Sequence, residues 1–121
     1  MYLSRQAVMD TFHLISDHSY EGSLVVFDYI YASVLRRENR YYGENAIYQR
    51  VKKDYEQWVF GIEEGELTNF LTYFNFSLVE ELNSYVLENK YFKNEAGKII
   101  TRINGTHCIV LAKREKFVSN N

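Results

Sequence analysis

The sequence predicts a single α/β domain, spanning residues 1–121, in which three strands alternate with helices. Three segments are rich in β-branched and aromatic residues: Leu24–Ile30, Phe76–Leu82 and Thr106–Arg114. Before and between them, apolar residues recur at the three- and four-residue spacing of amphipathic helices. A chain of 121 residues can bury a core without disulfides, and neither a linker nor an internal repeat divides it.

The first helix is predicted over residues 4–18. Val8 and Phe12 lie on one face of it, and Ser4 can cap its N-terminus because a hydroxyl oxygen accepts from an unpaired backbone N–H. The segment Leu24–Ile30 follows with almost no polar alternation, which is typical of a strand buried on both faces. We therefore expect both faces of this strand to be covered.

The middle of the chain is aromatic and basic. A short helix is predicted near Ala32–Glu38 and a longer one over Glu44–Glu56. A third helix has the strongest signal and is predicted to end at Asn75. Four large apolar groups share one face of it: Leu67, Phe70, Leu71 and Phe74.

The C-terminal third is predicted to hold a helix and a hairpin. Ser84 can cap a helix that runs to about Tyr91. Ile99–Ile103 and Thr106–Arg114 would form the two arms of the hairpin, because the intervening Asn-Gly pair tolerates the positive φ of a type I′ turn. The tail, residues 115–121, is expected to fray.

Composition argues against several kinds of site. Cys108 is the only cysteine, so no internal disulfide can form, and nothing near it in sequence would lower the pKa of its thiol. The three histidines (His13, His18 and His107) are not spaced as metal ligands usually are, and no metal site is expected. No apolar run approaches the ~20 residues of a membrane span or the ~7–15 of a signal peptide, so we expect a cytoplasmic protein.

None of the six glycines belongs to a G-x-G pattern. The phosphates of nucleotides and cofactors are commonly bound by closely spaced glycines at the start of a helix. This chain therefore contains no recognisable cofactor site of its own.

The segment from Arg36 to Lys53 is the candidate for a nucleic-acid surface. It carries six basic residues against two acidic ones, interleaved with tyrosines, and such residues neutralise phosphates and stack on bases. Five acidic residues follow soon after, and the whole chain has a formal net charge of −2. A solvated helix pair or a lid over a pocket explains this segment better than nucleic-acid binding does.

Asp28 interrupts its apolar strand near the C-terminal end and is followed by Tyr29 and Tyr31. Ligands of open α/β sheets bind outside the carboxyl ends of the strands, so an acidic residue at this position is a candidate site residue. The alternative is a polar strand end that bonds a neighbouring loop. The sequence leaves both interpretations open.

Three motifs occur in order along the chain: M-Y-L-S-R-Q-A-V at 1–8, S-L-V-V-F-D-Y at 23–29 and W-V-F-G-I-E-E-G-E-L at 58–67. Together they resemble the C-terminal part of the leucine carboxyl methyltransferase family, whose members often read close to M-Y-L-T-x-x-A-V, V-V-F-D-Y and E-P-W-x-F-G-I-E-P-x-E-L. These are S-adenosylmethionine-dependent O-methyltransferases of class I. The resemblance implies methyl transfer to a carboxyl or hydroxyl oxygen.

The resemblance also implies the C-terminal half of a Rossmann-like class I methyltransferase sheet. Such a half has three strands flanked by helices, and its last strand lies antiparallel between the other two. In the family, the glycine-rich turn and the acidic residue that hold S-adenosylmethionine come before the M-Y-L motif. The donor site is thus implied to lie outside this chain, as in a truncated or split gene product, and the chain is expected to be inactive alone.

Substrate-facing residues follow from the resemblance position by position. Tyr2 corresponds to a tyrosine that faces the substrate cavity, and Asp28 and Tyr29 correspond to the end of the family's fifth strand near that cavity. Residues 31–57 correspond to a helical substrate cover, which gives Tyr31 a role in contacting a small acidic or polar substrate. No catalytic residue, cofactor-binding residue or metal ligand is implied within the chain.

The same comparison implies a partner. In the intact family sheet, Leu24–Ile30 pairs with a strand that this sequence does not contain, and a long apolar edge invites pairing with another chain. We expect a homodimer, or a complex with an N-terminal partner that covers the edge. Two other functions stay open: a non-enzymatic interaction or dimerisation module derived from this fold, and an isolated RNA-binding or small-ligand-binding domain.

Overall fold

The computed structural model describes residues 3–53 and 59–116, apart from the side chains of residues 50–53. Within these ranges the chain forms helices and strands in the predicted α/β order. The elements are α1 (Arg5–His18), β1 (Leu24–Ile30), α2 (Ala32–Leu35), α3 (Glu44–Lys53), α4 (Leu67–Tyr73), β2 (Phe76–Leu82), α5 (Ser84–Tyr91) and β3 (His107–Arg114). None of the helices in the described ranges is long and apolar enough to cross a membrane.

The three strands form one open sheet in the order β1-β3-β2. β3 is antiparallel to both neighbours, so β1 and β2 run in the same direction without pairing to each other. Tyr29 faces Cys108 across the first ladder, and the second ladder shifts register between Leu78 and Glu80. The expected arrangement, with the last strand antiparallel between the other two, is confirmed.

One face of the sheet is covered by α1 and α4. Phe12 of α1 lies at the centre of this layer, and its ring centroid is 5.1 Å from that of Phe27 on β1 and 5.0 Å from that of Phe70 on α4. Leu71 of α4 and Val110 of β3 are completely buried beside them. The apolar faces predicted for both helices therefore form the core.

Polar groups join the C-terminal ends of these helices to the sheet. The Nε of the buried Arg114 donates to the carbonyl of Ser16 at 3.0 Å, which places a cation near the C-terminus of α1, where the helix dipole favours positive charge. The hydroxyl of Ser16 donates to the carbonyl of Phe74 at 2.7 Å. At the other end of α1, Ser4 Oγ accepts from the N–H of Ala7 at 3.1 Å, so the predicted cap is confirmed.

The opposite face of β1 is open over Leu24–Asp28, although Ile30 on the same face is completely buried. The expectation that both faces of this strand are covered is therefore wrong for the described part of the chain. Leu24 and Val26 are 63% and 66% exposed. Successive side chains of a strand point to opposite faces, and α1 and α4 lie over only one of them. Ile109 on the neighbouring strand extends this open apolar face.

The predicted hairpin does not form, because residues 99–103 do not pair with β3. The N–H of Ile100 donates to the carbonyl of Phe92 at 2.8 Å, and the N–H of Ile103 donates to the buried carboxylate of Glu88 at 2.9 Å. Each of these donors therefore binds an acceptor outside the proposed hairpin.

The Asn104-Gly105 pair also does not form the predicted type I′ turn, since neither residue has a positive φ. Asn104 Oδ1 instead accepts from the N–H of Thr106 at 2.8 Å, and the N–H of Gly105 donates to the carbonyl of Tyr42 at 2.8 Å. The strand begins only at His107.

Smaller differences concern the helix ends. α2 ends at Leu35, before the predicted end at Glu38, and the following Arg37 and Asn39 have positive φ. The cap of α5 is Asn83, not Ser84, because Asn83 Oδ1 accepts from the N–H of Val86 at 2.8 Å. The predicted end of the long helix at Glu56, and residues 117–121 of the tail, lie outside the described residues.

Candidate functional site

Three of the four predicted substrate-facing residues lie at the C-terminal end of β1. Tyr29 and Tyr31 point to the covered face and are buried, whereas Asp28 points to the open face and is exposed. The two tyrosine rings meet edge to face with centroids 5.6 Å apart. The structure therefore brings the rings of Tyr29 and Tyr31 together and places the side chain of Asp28 on the opposite face of the sheet. Tyr2 lies outside the described residues.

Tyr29 is bonded across the sheet. Its hydroxyl donates to Glu81 Oε1 on β2 at 2.9 Å, and the thiol of Cys108 on β3 donates to the same oxygen at 3.4 Å. Burial, together with Cys108 and the hydrogen bond to Glu81, raises the pKa of Tyr29 well above its ordinary value. Burial also raises the pKa of the Cys108 thiol to about 12, so this thiol stays protonated at neutral pH and is no nucleophile there.

Tyr31 continues this network into the segment that precedes α3. Its ring stacks on that of Tyr41, with centroids 4.5 Å apart and planes 17° from parallel. The hydroxyl of Tyr41 donates to Glu64 Oε2 at 2.9 Å. Burial raises the pKa of Tyr31 and of Tyr41, so both phenols keep their protons. These three tyrosines, with Glu64, Glu81 and Cys108, form what we call the tyrosine cluster.

The tyrosine cluster can position groups, but it contains no activated nucleophile. The phenols of Tyr29 and Tyr41 donate to carboxylates, and the pKa of each is raised. A general base or nucleophile that works near neutral pH needs a pKa near that pH. The cluster therefore fixes the segment before α3 against the end of β1.

Glu44 is a structural residue that the sequence did not reveal. It is the first residue of α3, is completely buried, and accepts from the backbone N–H of Asn39 at 2.6 Å and from that of Arg40 at 3.0 Å. An acidic residue in the first helical turn is a common pattern. Nothing in its spacing shows that this carboxylate turns back to hold the preceding loop.

The basic residues of this segment are engaged with groups of the same chain. Arg36 forms ion pairs with Glu38 and Glu63, and these hydrogen bonds lower the pKa of both carboxyls. Arg40 also binds Glu38, and the Arg37 guanidinium lies 5.4 Å from the centre of the Tyr48 ring. An anion bound here would compete with carboxylates already in place. The side chains of Arg50, Lys52 and Lys53 lie outside the described residues.

Asp28 is a neighbour of His107 on the open face. Burial lowers the pKa of His107, and the negative charge of Asp28 partly opposes that effect. Nδ1 of His107 is 2.7 Å from Thr106 Oγ1. Within residues 3–53 and 59–116 no side-chain hydrogen bond joins Asp28 to a loop, so the loop-bonding interpretation of this residue gains no support.

A cavity of about 150 Å³ lies between β1, the first half of α1 and the segment through Phe60 and Ile62. Asp28 and Tyr29 border it, whereas Tyr31 does not. The other lining residues are mostly apolar: Leu3, Val8, Thr11, Phe12, Phe27, Phe60, Ile62 and Phe70. The cavity therefore suits an apolar group.

A larger open cleft, of about 620 Å³, lies between α1 and α4. Phe60, Phe70 and Phe74 form its apolar part, and four polar residues border it: Arg5, Glu63, Glu66 and Asn69. Among the described side chains, no group of three histidine, cysteine, aspartate or glutamate residues is placed to bind a metal ion.

Comparison with known proteins identifies no relative. No protein-family model, no curated protein and no solved structure matches the chain. The resemblance to the methyltransferase family therefore depends on the three sequence motifs alone.

Proposed function

We propose that this chain is the C-terminal, substrate-side portion of an S-adenosylmethionine-dependent O-methyltransferase that methylates a carboxyl or hydroxyl oxygen. The donor-binding half comes from residues outside this sequence, in the same polypeptide or in a separate one. The chain alone is inactive, and it binds a partner through the outer edge of β1.

The observation that carries this proposal is the position of β3. An antiparallel strand between two strands that run in the same direction is the order that the resemblance implies for the last three strands of a class I methyltransferase. The sequence alone suggested a hairpin at this point, which would have joined β3 to residues 99–103. The observed strand order supports the resemblance over the local hairpin pattern.

The glycine of the W-V-F-G-I-E motif supports the proposal from a second direction. A Cβ at Gly61 would lie 2.9 Å from the carbonyl oxygen of Ile30 and 3.0 Å from the Cα of Ala32. Real Cβ atoms essentially never approach so closely, so a glycine is needed where this motif crosses the end of β1. The two motifs that the resemblance links in sequence thus meet in space.

The substrate side of such an enzyme needs mainly positioning. Methyl transfer requires the acceptor oxygen to be held in line with the donor methyl group, and orientation supplies a large part of the rate. Tyr29 and Tyr31 are buried at the end of β1, where ligands of open α/β sheets bind, and Tyr29 borders the apolar cavity. Their high pKa values suit hydrogen-bond donors and orienting groups.

The described residues do not fit S-adenosylmethionine itself. No strand of the sheet is followed by a glycine-rich turn, and the six glycines contain no G-x-G pattern. We assign no residue of this chain to the donor and derive no step of the reaction through it.

The second candidate is a non-enzymatic interaction module. The exposed Leu24 and Val26 favour this function, together with a strand edge that described residues pair with only at its C-terminal end. Nucleic-acid binding has less support, because the described arginines between Arg36 and Arg40 contact carboxylates or a tyrosine ring of the same chain.

The proposal is tested by reconstitution. The chain is co-expressed with the reading frame directly upstream, and binding of S-adenosylmethionine is measured by calorimetry for the chain, the upstream product and the combination. We expect no micromolar binding by the chain alone and binding by the combination, with transfer of a labelled methyl group to small carboxylic acids or alcohols.

A disruptive variant and a matched control accompany this experiment. Gly61→Val in the chain forces a clash with Ile30 and should abolish methyl transfer by the combination. Gly97→Asn should retain it, because the space around Gly97 is open and Asn tolerates its positive φ. Micromolar binding of the donor by the chain alone would overturn our placement of the donor site. An upstream frame without a G-x-G turn, with no donor binding by the combination, would favour the interaction module.

A further inference from the structure

The outer edge of β1 carries backbone groups that no described strand binds. On the inner side, the N–H of Tyr31 donates to the carbonyl of Thr106 at 3.2 Å, which shows that the odd-numbered residues face β3. The N–H and C=O groups of Leu24, Val26 and Asp28 therefore point away from β3. No strand of the described sheet lies on that side.

Among the described residues, pairing with this edge is found only at its C-terminal end. The N–H of Ile62 donates to the carbonyl of Ile30 at 3.0 Å, and the N–H of Ala32 donates to the carbonyl of Ile62 at 2.9 Å. This short parallel bridge shows that the edge accepts a partner backbone. It ends before Asp28 and leaves most of the strand uncovered.

The apolar cavity lies beside the uncovered part. Phe27, Asp28 and Tyr29 form one of its sides, and Phe12 of α1 and Phe70 of α4 lie among the residues of the covered face that complete it. Its volume of about 150 Å³ is comparable to that of apolar protein cavities that accept a benzene-sized group. A strand that paired with β1 would direct alternate side chains toward this cavity.

We propose that the outer edge of β1 and this cavity are one docking site for an extended polypeptide segment. The segment pairs with Leu24–Asp28 through its backbone and inserts one aromatic or large aliphatic side chain into the cavity. Backbone pairing supplies affinity in this mode of recognition, and the side-chain pocket supplies specificity. The inference rests on the proposed function, since it specifies the chemistry of the partner that covers this edge.

A second copy of the chain does not fit as the occupant. In a pair of β1 strands, the side chains nearest the cavity would be those on the covered face of the copy, which include Phe27 and Tyr29. Phe27 already packs against Phe12, and Tyr29 already donates to Glu81. Filling the cavity with either side chain would break the core of the copy, so the segment comes from a different sequence.

The probes are two capped synthetic peptides, TVTFTVT and its matched control TVTATVT. Binding is followed by amide NMR of the whole chain. We expect TVTFTVT to shift the amide signals of Leu24, Val26 and Asp28 and to slow their hydrogen exchange. The control should bind at least tenfold more weakly, because it loses the burial of one phenylalanine ring.

Two variants test the two parts of the site separately. Val26→Pro removes one outward N–H, which an edge strand tolerates, and should abolish binding of TVTFTVT. Thr11→Phe places a ring at the mouth of the cavity and leaves the backbone of β1 unchanged, so it should reduce the preference for TVTFTVT over TVTATVT. Circular dichroism confirms that each variant is folded. If Val26→Pro does not fold, the effect of Thr11→Phe on the peptide preference still tests the proposal.

The proposal is overturned if neither peptide binds at about 1 mM, if both bind equally, or if the protected amides lie at Ile109 and Leu111 instead of β1. The peptide assay needs no methyl donor. Donor binding by the reconstituted combination, with no peptide binding, would refute this docking site and leave the proposed function intact. Peptide binding with no donor binding by the combination would support this docking site and refute the proposed function.

Discussion

The two faces of β1 differ although they belong to one strand of seven residues. On one face, Phe27 packs edge to face against Phe12, and Tyr29 donates to Glu81. On the other face, Leu24 and Val26 are mostly exposed. Because the same backbone carries both faces, the difference does not reflect a poorly formed strand. It shows that the described residues cover one face of β1 and leave Leu24, Val26 and Asp28 of the other face exposed.

The two edges of β1 differ in the same way. Its inner edge pairs with β3 along the whole strand, whereas its outer edge, in the part of the chain that the structure describes, meets only Ile62 at the C-terminal end. Within the described residues, β1 is therefore incomplete at its outer edge, and the outer edge of β2 likewise has no strand partner. Away from these edges, even buried carboxylates such as Glu44 and Glu88 accept backbone N–H groups.

The largest effect is expected on the covered face. Phe12→Ala should reduce the free energy of unfolding by about 3–5 kcal/mol, because it removes a ring that contacts both the sheet and α4. Leu14→Ala on the same helix is the control, and at 60% exposure it should change the value by less than about 0.5 kcal/mol. Urea denaturation measures both, and similar losses would contradict the packing of α1 on the sheet.

The buried carboxylate of Glu44 should give the next largest effect. Glu44→Gln turns one acceptor oxygen into an N–H₂ group that faces the backbone N–H of Asn39 or Arg40. Leaving such a buried donor unpaired should cost about 2–3 kcal/mol. Glu95→Gln, in an exposed loop, is the matched control. If Glu44→Gln is as stable as this control, the loop before α3 is not held as described.

One chemical change on both faces of the sheet tests the comparison directly. Val110→Thr puts a hydroxyl into the covered face, where the side chain is completely buried, and should cost about 1–2 kcal/mol. Val26→Thr makes the same change on the open face and should stay within about 0.5 kcal/mol. An equal cost at both positions, measured at several protein concentrations, would mean that the open face is covered in solution.

The smallest effect concerns pH. Burial raises the pKa of the Cys108 thiol to about 12, so the folded chain keeps a proton that the unfolded chain releases near its ordinary value. The thiol therefore contributes stability below that ordinary value and loses it as pH rises toward 12. Cys108→Ala should show a smaller decrease in unfolding free energy between about pH 8.5 and 10. A decrease as steep as that of the unchanged chain would contradict this assignment.

Elements governed by neighbouring residues could be predicted from the sequence. The cap at Ser4 and the apolar spacing of α1 depend on residues three or four positions apart, and both are confirmed. The bounds of β1 could also be predicted, because its run of β-branched and aromatic residues is continuous. The burial of its two faces could not be predicted in this way, because it depends on which helices pack against each face of the sheet.

Contacts between distant residues account for what the sequence did not reveal. Residues 99–103 have the composition of a strand, but their N–H groups bind Glu88 and the carbonyl of Phe92. In the candidate site, Tyr29 and Tyr31 could be placed at the end of a strand. Glu81 and Tyr41, their partners, come from other parts of the chain, and no local pattern links them.

The central place of β3 bears on how this protein is made. Within the described sheet, neither β1 nor β2 has a partner strand until β3 emerges, and the pairing of Tyr29 with Cys108 joins positions about 80 residues apart. A ribosome must therefore release both apolar strands before any ladder can close. During this interval the nascent chain exposes the apolar side chains and unpaired backbone of β1, features that promote aggregation of incompletely folded chains.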